Sequence, residues 1–117
     1  AGGVVHLSGG SAKEIANAAA LALKNLLGLA CDPVAGLVEV PCVKRNVMGA
    51  VNALTSADLT SAGIFSKIPQ DEVIDAMRSI GRSMSEDIRE TGKGGLAGTP
   101  TGVEIRERMA GGRTQEA

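Results

Sequence analysis

The chain has 117 residues, of which 44% are hydrophobic and only one, Phe65, is aromatic. This length suits one compact domain and is too short for two well-cored ones. Its 12 basic and 13 acidic residues give a net charge of -1, which leaves no long-range field to attract nucleic acid or anionic lipid. No window approaches the ~18 uninterrupted apolar residues of a membrane span. The composition therefore predicts a soluble, aliphatic protein that binds neither nucleic acid nor membrane.

The start of the sequence is unusual for a complete protein. It opens at Ala1, without an initiator Met or the basic flank of a signal peptide, so we expect a piece of a longer polypeptide. Without a targeting segment, the cytoplasm is the expected location. The two cysteines, Cys31 and Cys42, are accordingly expected to be reduced there.

The first predicted helix begins at a capping box. Ser11 and Glu14 have the spacing at which each side chain can bond the other's backbone amide. From there to residue 27 the sequence is mostly Ala and Leu, so the helix is apolar on nearly every side and is expected to be buried. Gly28 is the expected stop.

An apolar irregular segment follows over residues 29–42. Two prolines and Gly36 interrupt any regular element, and Asp32 and Glu39 are its only charges. Irregular backbone normally stays on the surface because its amides need partners. We therefore expect this loop to be half-buried and held in place for a purpose, with Asp32 a candidate to cap or brace the turn at Pro33.

Two further helices are predicted after the loop. Val43, Val47, Val51 and Leu54 recur at helical spacing, which predicts a helix over about 43–62 that ends at Gly63. Its small residues, Gly49, Ala50, Ala53 and Ala57, are expected to let another helix approach closely. Pro69 favours the first position of a third helix, which is amphipathic and expected to end near residue 91.

A glycine-rich stretch over residues 92–100 separates the third helix from a fourth. Thr101 and Glu104 repeat the capping-box spacing and predict a short helix to about residue 110, with a frayed tail from about 111. The sequence thus predicts an all-α fold, a single helical domain over 1–117 built as a bundle of about four helices, with the cysteine-bearing loop between the first and second.

The two cysteines are the best candidates for chemistry, and three interpretations remain open. A buried free Cys behaves as a small hydrophobe. Zinc sites pair ligands two to four residues apart, whereas ten residues separate these two and the single His6 lies far upstream. Iron-sulfur clusters also bind thiolates and tolerate varied spacing.

The residues after Cys42 favour a site. Lys44, Arg45 and Asn46 follow it at the head of a predicted helix. Positive charge and a helix N-terminus both favour a thiolate. An Arg there could also hold a substrate carboxylate through its bidentate fork.

Two long motifs resemble a known family. Residues 29–42 read LACDPVAGLVEVPC and are followed by KRNVMGAV over 44–51, and residues 90–97 read ETGKGGLA. Together they closely resemble the α chain of the iron-sulfur-dependent L-serine dehydratases, and the likeness covers nearly the whole chain. It matches the C-terminal part of such an α chain.

The resemblance implies a lyase that converts L-serine to pyruvate and ammonia with a 4Fe-4S cluster and without pyridoxal phosphate. Cys31 and Cys42 match two of the family's three cluster ligands, and the third belongs to an upstream motif that this sequence lacks. Arg45 and Asn46 are then candidates for orienting the substrate or supporting the cluster. No residue matches the general base, which stays unknown.

The resemblance also implies partners and a metabolic setting. The ending Gln115, Glu116 and Ala117 is similar to relatives whose α and β parts are separate polypeptides, so a separate β chain or β domain and an oligomer are expected. The setting is cytoplasmic amino-acid catabolism and gluconeogenesis. With two ligands of three, this chain is expected to be inactive alone and to hold no stable cluster.

One alternative comes from a different class of protein. A non-enzymatic helical interaction module would use Cys31 and Cys42 as ordinary buried structural residues. It would tolerate Cys→Ser at both positions and would gain no stability from iron.

Overall fold

The structure is a computed structural model that describes residues 1–112, apart from the side chains of residues 39 and 40. Over this range the chain forms five α-helices and no strand. They are α1 (Gly2–Leu7), α2 (Ala12–Lys24), α3 (Lys44–Ser61), α4 (Gln70–Ser83) and α5 (Pro100–Gly112). The predicted all-α class is confirmed, with α1 as an unforeseen addition. None of these helices is long and apolar enough to cross a membrane.

The chain contacts divide into two compact units. The first consists of Ala1–Leu29 with Val47–Ser83, and the second of Ala30–Asn46 with Met84–Ala117, of which the structure describes the part up to residue 112. The organisation of 1–117 as a single helical domain stays a prediction.

Helix α2 is the centre of the first unit and packs against α1 and α4. Apart from Ala12 and Lys13 at its start, every residue of α2 is buried or half-buried, as its composition predicts. The core cluster is made of small side chains, Val5, Ala18 and Ala57. Helices can approach closely over such residues, so a core almost without aromatics can still be well packed.

The capping box at the start of α2 is confirmed. The Ser11 Oγ accepts a hydrogen bond from the Glu14 amide at 3.3 Å, and the Glu14 Oε2 accepts one from the Ser11 amide at 2.8 Å. The helix ends at Lys24, earlier than the predicted residue 27, because the chain tightens there: the Leu26 amide donates to the carbonyl of Leu23, three residues back. Gly28, with φ +75°, completes the turn.

Helix α1 escaped prediction because Gly2 and Gly3 are poor helix formers. Tertiary packing supports it instead. Val5 is buried, and a Cβ on Gly2 would lie 3.1 Å from Ile15 Cγ2 on α2. The short helix therefore depends on its contact with α2.

The predicted helix over about 43–62 is confirmed as α3, and its regularly spaced apolar residues face solvent. Val47, Val51 and Leu54 are 61%, 58% and 55% exposed, and Val43 is exposed as well. The buried residues of α3 are Ser56, Ala57 and Thr60, on another side of the helix. On that side Ala57 packs in the core cluster with Ala18 of α2, and Thr60 accepts a hydrogen bond from Asn17 of α2.

Helix α4 stops at Ser83, well before the predicted end near residue 91. Ser85 adopts an extended ψ of 142°, and its side chain accepts a hydrogen bond from the Asp87 amide, which starts a separate 3-10 turn over Glu86–Ile88. A serine cap therefore ends a pattern whose apolar periodicity continues to Ile88.

Helix α5 organises the second unit. It packs against two 3-10 turns, Val34–Gly36 and Gly95–Gly98. Its cap is Thr99, whose Oγ1 accepts a hydrogen bond from the Gly102 amide at 3.2 Å, so the predicted capping box at Thr101 is wrong. Pro100 takes the first helical position, which needs no amide hydrogen. The helix continues to Gly112, and the rest of the predicted frayed tail lies outside the described residues.

Candidate thiol site

Cys31 is held by backbone hydrogen bonds on both sides. Its amide donates to the Ile88 carbonyl at 2.9 Å, and its carbonyl accepts from the Glu90 amide at 2.6 Å. These bonds form an isolated parallel bridge between Cys31 and Arg89. The half-buried thiol therefore sits on a segment of backbone fixed to the turn after Glu86–Ile88.

Cys42 lies in a π-helical turn, Glu39–Val43, directly before α3. The Val43 amide donates to the Val38 carbonyl at 2.9 Å, five residues back. Wide turns of this kind are rare and are frequent at functional sites. The Cys42 thiol is half-buried and free, like that of Cys31.

Asp32 connects the two ends of this loop. Its carboxylate is buried, with the residue 3% exposed. Arg45 Nη1 donates to Asp32 Oδ1 at 2.5 Å and to the Ala30 carbonyl at 2.7 Å. The Leu96 amide donates to Asp32 Oδ2 at 2.6 Å. Asp32 therefore accepts hydrogen bonds from two segments distant in sequence, which goes well beyond bracing the turn at Pro33.

The glycine-rich segment approaches Asp32 closely. Gly95 has φ +59°, and a Cβ there would fall against the Asp32 carboxylate and within 2.8 Å of Asp32 Cβ. At Gly94 a Cβ would lie 2.8 Å from Asp87 Cβ. The two glycines thus allow backbone to pack where any side chain would collide.

Two non-glycine residues of this unit adopt left-handed backbone. Ala35 has φ 54° and Glu90 has φ 68°, and among residues 1–112 they are the non-glycine positions with positive φ. Such conformations cost of order 1 kcal/mol each and persist where the surroundings impose them. One lies in the loop after Cys31, and the other donates its amide to the Cys31 carbonyl.

The electrostatics differ between the thiol and the carboxylate. Burial raises the pKa of the Cys31 thiol above its ordinary value; the charges of Glu90 and Cys42 act in the same direction, and Arg45 partly offsets them. Burial also opposes ionisation of Asp32, but the Leu96 amide and the Arg45 guanidinium stabilise its charged form, so its pKa lies below the ordinary value.

The structure thus brings together most of the residues that the sequence singled out. Cys31, Cys42 and Arg45 belong to one unit, and Asn46 lies exposed beside Arg45. Arg45 Nη1 is engaged by protein acceptors. The assignment of Arg45 and Asn46 to substrate binding stays a prediction.

Sequence reasoning missed the backbone partners of the site. The Ile88 carbonyl and the amides of Glu90 and Leu96 contribute through main-chain atoms, which carry no residue-specific signal. The glycine-rich motif over 92–100 was the available clue. Arg106 of α5 lines an open depression of about 290 Å³ together with Pro33, Glu90 and Lys93.

The donor set fits a thiolate-bound metal centre only in part. Both cysteines are free and half-buried, and soft thiolates are the usual protein ligands of iron-sulfur clusters. Within residues 1–112, however, no three His, Cys, Asp or Glu side chains are grouped to hold a metal ion. The two thiols therefore fit as part of a ligand set that needs a further ligand.

Fold and site together define an all-α protein with two free thiols in one compact unit. A family model, the serine dehydratase alpha chain, matches residues 1–97. The chain is 60% identical over 112 residues to the probable L-serine dehydratase alpha chain of Bacillus subtilis (strain 168), covering 96% of this chain and 37% of that protein. It is also 60% identical over 111 residues to the probable L-serine dehydratase alpha chain of Latilactobacillus sakei, covering 95% of this chain and 53% of that one.

A third relative is the L-serine dehydratase alpha chain of Peptoniphilus asaccharolyticus, 51% identical over 106 residues, which cover 91% of this chain and 36% of that protein. The chain belongs to the serine dehydratase alpha chain family. It spans between about a third and about half the length of these curated relatives.

Proposed function

We propose that this chain supplies part of the iron-sulfur site of an L-serine dehydratase, a lyase that converts L-serine to pyruvate and ammonia. The observation that carries the proposal is the pair of free, half-buried thiols of Cys31 and Cys42 in one unit of a serine dehydratase alpha chain. Both would be thiolate ligands of a 4Fe-4S cluster, with the third Cys ligand supplied from outside this sequence. The chain alone is then inactive.

Hydroxide is a poor leaving group, so loss of the serine hydroxyl needs an electrophile. When bound, the cluster supplies an iron that acts as a Lewis acid on that hydroxyl. This accounts for the reaction without pyridoxal phosphate.

The chain's own residues have two proposed roles, which are to hold the cluster and to orient the substrate. Cys31 and Cys42 would hold the cluster, and the hydrogen bonds with Ile88 and Glu90 fix the backbone of Cys31. Asn46 is exposed directly after Arg45, and its amide group can donate hydrogen bonds to the carboxylate of an amino acid. Together with Arg45 it is the proposed substrate-orienting pair.

The partners follow from the same proposal. The relatives are named as alpha chains, so a separate β chain or β domain and an oligomeric enzyme are proposed, with L-serine as substrate. The proposed location is the cytoplasm, in amino-acid catabolism and gluconeogenesis.

The test uses the full-length α chain with its β chain, loaded anaerobically with iron and sulfide. We expect Cys31→Ser and Cys42→Ser each to lose the visible absorbance of the cluster, the bound iron and the turnover of L-serine. Val38→Ser is the matched control, because it places a serine at an exposed position of the same loop. It should load and turn over as the unsubstituted protein does.

Retention of cluster and turnover in either cysteine variant would overturn the ligand assignment. If both variants behave as the unsubstituted protein does and iron leaves its thermal stability unchanged, the interaction-module alternative holds instead.

A further inference from the structure

A single buried carboxylate lies between the two thiol-bearing segments. Asp32 follows Cys31 directly in sequence, and Arg45 comes three residues after Cys42. The Arg45–Asp32 ion pair therefore ties the backbone beside one cysteine to the helix that begins beside the other. The second hydrogen bond from Arg45, to the Ala30 carbonyl, reaches the residue on the other side of Cys31.

The glycine-rich segment adds a further hydrogen bond to Asp32. The Leu96 amide occupies the second oxygen of Asp32, and the absent side chain of Gly95 makes that approach possible. The carboxylate is thus held on both oxygens by groups from two elements. A carboxylate so held has little freedom to move, and neither has the backbone of the adjacent cysteine.

We propose that Asp32 and Arg45 are positioning residues that set the spacing of Cys31 and Cys42 for cluster binding. The proposal rests on the proposed function, since it assigns these residues a role toward the cluster ligands. Neither residue contacts the metal; each acts through the backbone that carries a thiol. Partners of this kind commonly alter metal affinity when they are replaced.

Arg45 is the better residue to substitute in a test, because its side chain is partly exposed. Its side chain is 27% exposed, compared with 4% for Asp32. Replacing Arg45 leaves Asp32 with the Leu96 amide, whereas replacing Asp32 affects both segments at once. Lys44 provides a matched control, because it is an exposed cation one residue earlier on the same helix.

The experiment compares Arg45→Ala, Arg45→Lys, Asp32→Asn and Lys44→Ala in the full-length α chain with its β chain. Two quantities are measured: the rate at which an iron chelator bleaches the loaded cluster, and the thermal unfolding midpoint of the iron-free protein. The electron paramagnetic resonance signal of the reduced cluster is recorded as a signature of its ligand geometry.

We expect Arg45→Ala and Asp32→Asn to lose the cluster about 10-fold to 100-fold faster than the unsubstituted protein. Arg45→Lys should fall between them and the unsubstituted protein, because one ammonium replaces a guanidinium that donates to two acceptors. Lys44→Ala should match the unsubstituted protein. The resonance signal should change in Arg45→Ala and stay unchanged in Lys44→Ala.

Bleaching of Arg45→Ala at the unsubstituted rate, with an unchanged resonance signal, would overturn the proposal even if its iron-free stability falls. Should Arg45→Ala and Asp32→Asn fail to fold, Arg45→Lys decides by the same rate. Failure of the proposed function is seen separately, as retention of the cluster in Cys31→Ser or Cys42→Ser.

Discussion

At the scale of the single residue, Asp32 shows what a sequence can and cannot indicate. An Asp-Pro pair predicts a braced turn, and the position of Asp32 beside Cys31 is visible in the sequence. Its partner Leu96 is 64 residues away and contributes a backbone amide. No residue type announces such a bond, so only the folded chain identifies it.

Gly95 is the residue on which this contact depends, and Gly36 offers a matched comparison. Both have positive φ, +59° and +75°, but a Cβ at Gly36 would meet no atom within 4 Å. We expect Gly36→Ala to destabilise the protein by about 1 kcal/mol, the cost of a left-handed alanine. Gly95→Ala should cost about 3 kcal/mol, because it also displaces the Asp32 carboxylate from its hydrogen bonds.

Denaturant unfolding of both glycine variants measures the difference. Equal losses of stability would show that Asp32 can move aside without cost, and that the close approach at Gly95 is not structurally important.

At the scale of the element, the start and the burial of α2 were predicted correctly, but its most important polar residue was missed. Asn17 is buried and bonds three groups: its Nδ2 donates to Thr60 Oγ1 at 2.8 Å and to the Ile64 carbonyl at 3.0 Å, and its Oδ1 accepts from the Ser66 amide at 2.7 Å. In the sequence it is one polar interruption of an Ala-rich run. Periodicity gives the helix, whereas the partners of a buried amide depend on which elements meet.

We expect Asn17→Ala to lower the free energy of unfolding by about 2–3 kcal/mol, because it leaves buried partners without a hydrogen bond. Ser56→Ala is the control. The Ser56 Oγ is buried and has no hydrogen-bond partner among the described residues, so its removal should change stability by less than about 0.5 kcal/mol.

Chemical denaturation of the two variants, monitored by circular dichroism, tests this expectation. A loss at Asn17 no larger than that at Ser56 would mean that water replaces the lost bonds, and that α2 does not depend on this residue.

The helix boundaries also include one that the sequence predicted correctly and one that it did not. Ser11 and Glu14 fixed the start of α2 correctly because a capping box involves neighbouring residues alone. The end of α4 was missed because Met84 and Ile88 continue its apolar spacing, while Ser85 ends it through backbone conformation. A helix boundary was therefore predicted correctly where one local signal was present. It was predicted wrongly where a cap and an apolar spacing pointed to different ends.

At the scale of the whole molecule, the all-α class and the thiol-bearing loop were predictable from the sequence. The side of α3 that is buried was not. Its valine spacing has the helical period of a core face, yet the buried side carries Ser56 and Thr60. Periodicity reveals that a helix has an apolar side but not what that side meets. We define the apolar stripe of α3 as the exposed residues Val47, Met48, Val51 and Leu54.

Exposed apolar residues grouped on one helix face promote association in water. We therefore expect the isolated chain to associate as its concentration rises, and the double substitution Val47→Gln with Val51→Gln to weaken that association while helix content is retained. Thr55→Gln, at an exposed polar position of the same helix, should associate as the unsubstituted chain does.

Sedimentation velocity over a concentration series measures the association. A chain that stays monomeric throughout, or a double variant that associates as strongly as the unsubstituted chain, would contradict the expectation.

The bridge that anchors Cys31 is made from main-chain atoms, so it does not depend on the side chains of the bridging residues. The Ile88 carbonyl and the Glu90 amide exist whatever side chains stand at those positions. Mutations that alter residues 88 and 90 can therefore accumulate over generations without moving the thiol, provided that residue 90 tolerates its left-handed φ of 68°. A cysteine anchored in this way can keep its place while the sequence around it drifts.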